Sequence, residues 1–346
     1  MPPNFFGFTP DFGGADDPTL SAYYRNVKQS GASWVRFGVY WWYIEKTKGT
    51  YTWNSTDRYF AAIACSGLTA LPMFIGAPTW ASGRPTTIAP PKQACLPEYK
   101  TMIRAAIARY GVGGSYWSEG HHCLDSTAPV PASPSSVWQV WNEPNVMSYY
   151  GDQTATAQGY GRLLVAADDA INTSVNPTAK TVLGGLTGSK MGDFLTALYT
   201  AVPDLNSRVD IFDVHAYATT PWKSLLLLRA FRQVADSHGA GDKPIWVSEV
   251  AWSSCRQDGN SYPAACTDNV LAKNEVGQRY FLTRLYDKLI ANASALRLRR
   301  VAWYSWRDPD VSRATCQFCY GSGLSHRDGS PKPALNAYKA LAAGQS

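Results

Sequence analysis

Ile211-Phe-Asp-Val-His-Ala216, the amphipathic run from Ser224 to His238, and Ile245-Trp-Val-Ser-Glu-Val250 read in order as strand, helix and strand. Short apolar runs separated by longer runs of helical spacing mark β/α units of a parallel sheet. Working outward, the pattern repeats. Phe5–Phe8, Trp34–Val39, Thr69–Phe74, Val137–Trp141 and Thr181–Gly184 precede this unit as strands, and Val301–Trp306 follows it. Helical runs lie between them at Leu20–Ser30, Thr56–Ser66, Pro97–Tyr110, Ala155–Asn172, Gly192–Ala201 and Glu275–Ala291, with a closing helix near Ala334–Ala343. Eight strands and eight helices in alternation predict an α/β chain, a (β/α)8 TIM barrel, with residues 1–346 as one domain. The rival, a doubly wound open sheet, needs a glycine-rich phosphate turn after its first strand, and Gly13-Gly14 is too sparse for one. Pro129 to Ser136 reads as the end of a long surface loop before the fourth strand.

Composition narrows the function. With 45% hydrophobic and 17% charged residues there is material for a large core. The longest apolar run, Ser224 to Ala230, falls far short of the roughly 18–20 residues of a membrane span, so no membrane is implied. The net charge of +6 is spread along the chain. Its one dense basic cluster, Arg297, Arg299 and Arg300, reads as solvating a helix end, and no nucleic-acid partner is implied. Thirteen Trp and 20 Tyr supply flat faces with polar edges, suited either to packing between barrel and helices or to stacking on sugars.

The fourth strand ends Trp138-Gln-Val-Trp-Asn-Glu-Pro-Asn145 and the seventh ends Pro244-Ile-Trp-Val-Ser-Glu-Val-Ala-Trp252. Each sets one glutamate, Glu143 or Glu249, at the carboxyl end of a barrel strand, where barrel active sites are built. A charged group leaving an apolar strand is costly without partners. Strands four and seven stand on opposite walls, so the two side chains converge across the mouth. Paired carboxylates are what glycosidic cleavage requires, one protonating the leaving oxygen while the other attacks or stabilises the anomeric carbon.

Asn142-Glu143-Pro144, with a second glutamate ending strand seven, resembles the clan A retaining glycoside hydrolases. Gly31-Ala-Ser-Trp-Val-Arg-Phe-Gly38, Lys48-Gly-Thr-Tyr-Thr-Trp53 and Ala77-Pro-Thr-Trp-Ala81 resemble glycoside hydrolase family 39 and its relatives within that clan. The resemblance runs over nearly the whole chain. It implies Glu143 as general acid/base, Glu249 as nucleophile, and retention of anomeric configuration. It also implies that Arg36 holds the nucleophile ionised, that Asn142 bonds the sugar 2-hydroxyl, and that His215 and Tyr217 touch the nucleophile and the sugar. The eighth strand departs from the clan: the platform position, commonly Trp, falls on Tyr304, flanked by Trp303 and Trp306. Trp80 and Trp252 are further positions for lining the cleft or packing the core.

A retaining glycosidase acting on a polysaccharide or oligosaccharide is therefore expected, with no cofactor and no metal. The alternatives are a transglycosylase using the same residues and a carbohydrate-binding pseudoenzyme. Double displacement places the two carboxyl groups about 5–5.5 Å apart, against roughly 6.5–9.5 Å for inversion. Seven cysteines point to an oxidising compartment. Local pairing gives Cys95–Cys123, Cys255–Cys266 and Cys316–Cys319, with Cys65 free on a helix. His121-His122-Cys123 has no further metal ligand at standard spacing and reads as a disulfide loop. Asn54, Asn172 and Asn292 head glycosylation acceptor triplets in form. Met1-Pro-Pro-Asn4 shows no charged or apolar leader, so the expected secreted or extracytoplasmic location implies a leader outside this sequence.

Overall fold

The computed structural model describes residues 1–10, 16–85, 88–150, 156–176, 178–256, 264–309, 316 and 318–345. Eight parallel strands close into one barrel in chain order, β8 pairing back onto β1. They are β1 (Phe6–Thr9), β2 (Trp34–Tyr40), β3 (Thr69–Ile75), β4 (Val137–Asn142), β5 (Lys180–Thr187), β6 (Phe212–His215), β7 (Ile245–Glu249) and β8 (Leu298–Tyr304). The outer helices are α1 (Asp17–Gln29), α2 (Asn54–Cys65), α3 (Leu96–Tyr110), α4 (Ala157–Asn172), α5 (Met191–Ala201), α6 (Pro221–Ser237), α7 (Glu275–Ala291) and α8 (Pro333–Ala342). The expected (β/α)8 barrel is the fold found. No helix among the described residues is long and apolar enough to cross a membrane.

Local chemistry starts the helices where the alternation placed them. Asp16, Thr156, Thr220 and Asn274 each turn a side-chain oxygen onto a backbone N–H of the first helical turn, closing α1, α4, α6 and α7 at their amino ends. Pro221 follows the cap of α6, in the turn where a missing N–H costs nothing.

Inside the barrel, side chains two residues apart on a strand share a face, so they stack in layers. The floor is apolar: Trp34, Leu71, Val182, Ile211, Trp246 and Ala302. Arg300 caps it from below, its guanidinium 4.3 Å from the Trp246 ring and 5.5 Å from Trp34, and burial draws its pKa down to about 10. The basic cluster thus differs from its reading as a helix-end surface. Arg297 turns left-handed at φ 49°, which ends the preceding helical turn and starts β8 three residues earlier than the apolar pattern predicts. One step up the strands the floor gives way to a polar layer. Arg36, Asp213 and Ser248 stand two residues beyond Trp34, Ile211 and Trp246, with Met73 two beyond Leu71. Everything at the mouth rests on this layer.

The disulfides are Cys65–Cys123, Cys255–Cys266 and Cys316–Cys319, and Cys95 is the free thiol. The first corrects the Cys95–Cys123 expectation. Cys95 opens α3, whose 15 residues carry the chain about 22 Å before the loop holding Cys123 begins, and that loop returns to the carboxyl end of α2, where Cys65 waits. His121 in the same loop stacks on Tyr116 and bonds Glu119, on the face away from the mouth.

Alkylation of the denatured, unreduced protein should label one cysteine, mapped to Cys95. Replacing Cys65 and Cys123 together by Ser releases a cross-link across 58 residues, and loop entropy sets the cost at about 4 kcal/mol, read as a lower denaturation midpoint. An unchanged midpoint would refute the pairing.

Candidate active site

The site grows from Arg36. Only 2% exposed, its side chain makes four hydrogen bonds, and each of its three nitrogens has a named partner. Nε donates to Gln139 Oε1 (2.5 Å), Nη1 to Glu249 Oε1 (2.5 Å), and Nη2 to Asn142 Oδ1 (2.7 Å) and Met73 Sδ (2.8 Å). One guanidinium therefore joins β2, β3, β4 and β7. Tyr217, just past β6, donates to the other oxygen of Glu249 (2.9 Å). Burial and the Glu249 carboxylate push the Tyr217 phenol well above its ordinary value.

Glu143 reaches the mouth by a contorted turn. Trp141 and Glu143 both hold positive φ, 76° and 41°. Residues so placed persist only where their surroundings over-determine them. Trp141 is fully buried and donates through Nε1 to Tyr149 O (2.7 Å), while Asn145 exchanges hydrogen bonds with the Thr187 backbone. Gly184 on β5 leaves the room: a Cβ there would stand 2.7 Å from Val140 O and 3.0 Å from Pro144 Cδ.

His215 links the two glutamates to the polar layer. Its Nδ1 lies 2.7 Å from Glu143 Oε1 and 3.6 Å from Glu249 Oε2, and its Nε2 lies 3.1 Å from Ser248 Oγ. The ring fits because Gly185 has no side chain; a Cβ there would sit 2.1 Å from Nε2. Ser248 gives its hydroxyl proton to Asp213, which also accepts from Ser248 N (2.9 Å) and from Gln139 Nε2. With the serine proton committed, Nε2 of His215 is the donor to Ser248 Oγ, and Nδ1 is left facing the carboxylates. Burial pulls the imidazole down, yet Glu249 and Glu143 outweigh it, and the His215 pKa is raised. The ligand-type atoms of Glu143, His215 and Glu249 lie within 4.8 Å of one another. Arg36, Tyr217 and His215 already serve these carboxylates, so the set is arranged around protons.

The other expected positions divide. Tyr304 stands half-buried beside Tyr217, whose phenol it helps push up, and its N–H bonds Val250 O at the end of β7. Trp252 and Trp306 do not line the cleft. Trp252 is fully buried between Phe281 and Trp303 with Nε1 on Ala218 O, and Trp306 is buried edge-on against Phe8. Neither offers a face to a sugar. Trp80 is half-buried, bonds Glu45 O and meets Trp41 edge-on, outside the hydrogen bonds of the site. The sequence reading passed over Gln139, Asp213, Ser248 and Tyr149. Asp213 carried a readable signal, a charge inside an apolar strand two residues before His215. Tyr149 carried none; its phenol is pushed up by burial and then by Glu143 and Glu249.

A family model described as "Glycosyl hydrolase catalytic core" matches residues 116–338. Among solved structures, a family 39 glycoside hydrolase from the gut symbiont Bacteroides cellulosilyticus WH2 is 19% identical over 99% of this chain, with a TM-score of 0.70; the chain spans 64% of that protein's length. A monomeric beta-xylosidase from Caulobacter crescentus CB15 is 18% identical over 99% of this chain and 68% of its own, at a TM-score of 0.68. Fungal beta-1,4-galactanases are 16% identical over 97% of this chain and 98% of their own, at 0.61. No curated protein matches the sequence. At these identities the structural likeness shows the barrel fold.

The raised His215 pKa has a signed consequence for stability. The folded value lies above the unfolded 6.5, so this stabilisation is full below about pH 6.5 and is lost as pH rises through the folded value. His215→Asn should therefore lose more stability relative to wild type at pH 6 than at pH 9 in urea titrations. A gap that widens toward pH 9 would reverse the assignment of the ring's partners.

Proposed function

The chain belongs to the glycosyl hydrolase catalytic core family and is a glycoside hydrolase, and we propose that it cleaves a polysaccharide or oligosaccharide with retention, Glu249 as nucleophile and Glu143 as acid/base. The observation that carries this reading is the pair itself. An oxygen of one carboxylate lies within 4.8 Å of an oxygen of the other, which supports the short separation of double displacement.

The partners divide the roles. Both Glu249 oxygens accept hydrogen bonds, from Arg36 and Tyr217, which aims the carboxylate at the mouth. In the first step a Glu249 oxygen bonds the anomeric carbon as the glycosidic C–O bond breaks, and the leaving oxygen takes a proton from Glu143. In the second, Glu143 removes a proton from water, the water oxygen bonds the anomeric carbon, and the bond to Glu249 breaks. The acid/base proton belongs to Glu143 and His215 as a pair. With Nε2–H engaged by Ser248, a single proton lies between Nδ1 and Oε1, and the imidazole takes up the charge change as Glu143 cycles. Asn142, held by Arg36, faces the same mouth for the sugar 2-hydroxyl, and Tyr304 serves as the floor. The three disulfides support an extracytoplasmic setting, and residues 1–346 act as one catalytic domain.

Glu249→Ala should abolish turnover of every substrate. Glu143→Ala should lose about 10²–10⁴-fold on substrates with poor leaving groups, lose less on activated aryl glycosides, and regain activity with azide. Proton NMR of the first-formed sugar should show the retained anomer; the inverted anomer, or ordinary polysaccharide activity in both variants, would defeat the reading.

Ser248→Ala tests the proton pair separately. Without the Ser248 Oγ acceptor on Nε2–H, the protonated imidazole loses a hydrogen bond that favours it, and the raised His215 pKa should fall. The alkaline limb of kcat/KM should move to lower pH, and a limb that stays in place would show that Ser248 does not hold the His215 proton.

A further inference from the structure

β2 carries more than Arg36 to the mouth. Arg36, Gly38 and Tyr40 share one face of the strand, and four residues of strand set Tyr40 about 13 Å beyond Arg36, farther than one sugar ring spans. The strand runs directly into a short helix, Trp41–Ile44. Trp41 turns inward, buried, with Nε1 on Glu45 Oε2 (2.6 Å). Trp42 and Tyr43 turn outward. Tyr40 and Trp42 stack at 5.1 Å and 28°, and Tyr43 meets both edge-on with centroids 5.9 Å away. Tyr43 is 53% exposed, and Trp42, half-buried, is not among the residues packed against the core.

Backbone without Cβ atoms holds this cluster in place. A Cβ on Gly38 would stand 2.6 Å from Tyr40 Cε2, so the Tyr40 ring folds back along the strand toward the site. Gly76, at φ 67°, lies under the Trp42 ring, where a Cβ would fall 2.2 Å from Cζ3, and its carbonyl accepts from Trp42 N (3.1 Å). Tyr40, on the strand that carries Arg36, thus leads through its stacked partner Trp42 to Tyr43 at the rim.

We propose that Tyr40, Trp42 and Tyr43 form a distal sugar-binding platform, so that the site takes a glycan chain of at least three residues and draws part of its binding from a sugar outside the one being cleaved. Sugar rings present flat C–H faces that suit aromatic faces, and the hydroxyl edges of Tyr40 and Tyr43 provide polar handles. The inference rests on the glycosidase site proposed above and adds the chain-length requirement to it.

The test compares kcat/KM on hexasaccharides of β-1,4-galactan, β-1,4-xylan and β-1,4-mannan with kcat/KM on the matching nitrophenyl monoglycosides, taking the sugar that wild type cleaves. The hexasaccharide-to-monoglycoside ratio should fall by about tenfold or more in Trp42→Ala. It should recover to within about threefold of wild type in Trp42→Tyr, which restores a ring, and that recovery excludes misfolding as the cause. In native gels containing the cleaved polysaccharide, Glu249→Gln should be retarded and Glu249→Gln/Trp42→Ala should run freely. A ratio unchanged in Trp42→Ala, or wild-type activity confined to monoglycosides, overturns the platform and leaves the two-glutamate site standing. Full hexasaccharide activity in Glu249→Gln instead overturns the site reading itself, and the platform with it.

Discussion

A guanidinium buried inside a barrel has few ways to exist. Taking a charge out of water costs several kcal/mol even after relaxation, unless its donors and its charge are answered where it lies. Arg36 is answered from three strands at once, by Gln139 and Asn142 on β4, Glu249 on β7 and the Met73 sulfur on β3. Each of those partners is fixed in turn by the same demand. Glu249 cannot swing away without leaving a buried cation unpaired, and removing one member of such a pair typically costs about 3–5 kcal/mol. The geometry that aims one carboxylate at the mouth is thus a by-product of satisfying the arginine beneath it.

The polar layer also explains where the chain departs from ordinary backbone and side-chain usage. Gln139 and Ser248 send their hydrogen bonds into Asp213, and that commitment decides which nitrogen of His215 carries the proton toward Ser248. His215 reaches Glu143 only because two successive residues on β5, Gly184 and Gly185, leave their side-chain space to the Glu143 turn and to the imidazole. Local backbone strain at Trp141 and Glu143 lies beside these two glycines. Alanine at Gly185 would collide with a buried, hydrogen-bonded ring rather than with a mobile one, so the vacancy is structural in origin and chemical in effect.

Much of this was legible in the sequence, for identifiable reasons. The strands and helices followed from periodicity, because a barrel strand covered on both faces is apolar throughout and its helices are amphipathic. Glu143 and Glu249 stood out as charges at the ends of such strands, and Arg36 as a charge inside one. Asp213 stood in the same kind of context and was passed over beside the more conspicuous His215. Gln139 and Ser248 are uncharged, and only the side-chain geometry shows that they carry the arginine and the histidine. Trp252 and Trp306 illustrate the converse limit: an aromatic at a strand end fills either the helix layer or the cleft, and sequence does not say which way the ring turns. The disulfide at Cys123 depended on the length of α3, which separates Cys95 from it by a whole helix despite their nearness in sequence.

The two sides of the mouth are built differently. Behind β7 and β8, Lys332 is wholly buried and its ammonium meets Asp308 (2.7 Å), Ser254 Oγ (2.9 Å) and the carbonyls of Gly321 and Gly323 (3.2 and 2.9 Å). Gln278 adds bonds to the backbone of Trp252 and Gly321, and disulfides close Cys255–Cys266 and Cys316–Cys319 in the same region. This side is locked by a second buried cation, as the floor of the site is by the first. Across the mouth, the rim after β2 has Tyr43 largely exposed and Trp42 stacked on Tyr40 and the Gly76 backbone rather than on the core. The locked wall carries Glu249 and Tyr304, whose places are set by directional hydrogen bonds. The aromatic wall presents faces without directional bonds, which tolerate small shifts of a ligand. A barrel arranged this way concentrates its fixed hydrogen bonds on the Glu249 side and leaves stacked, partly exposed rings at the rim after β2.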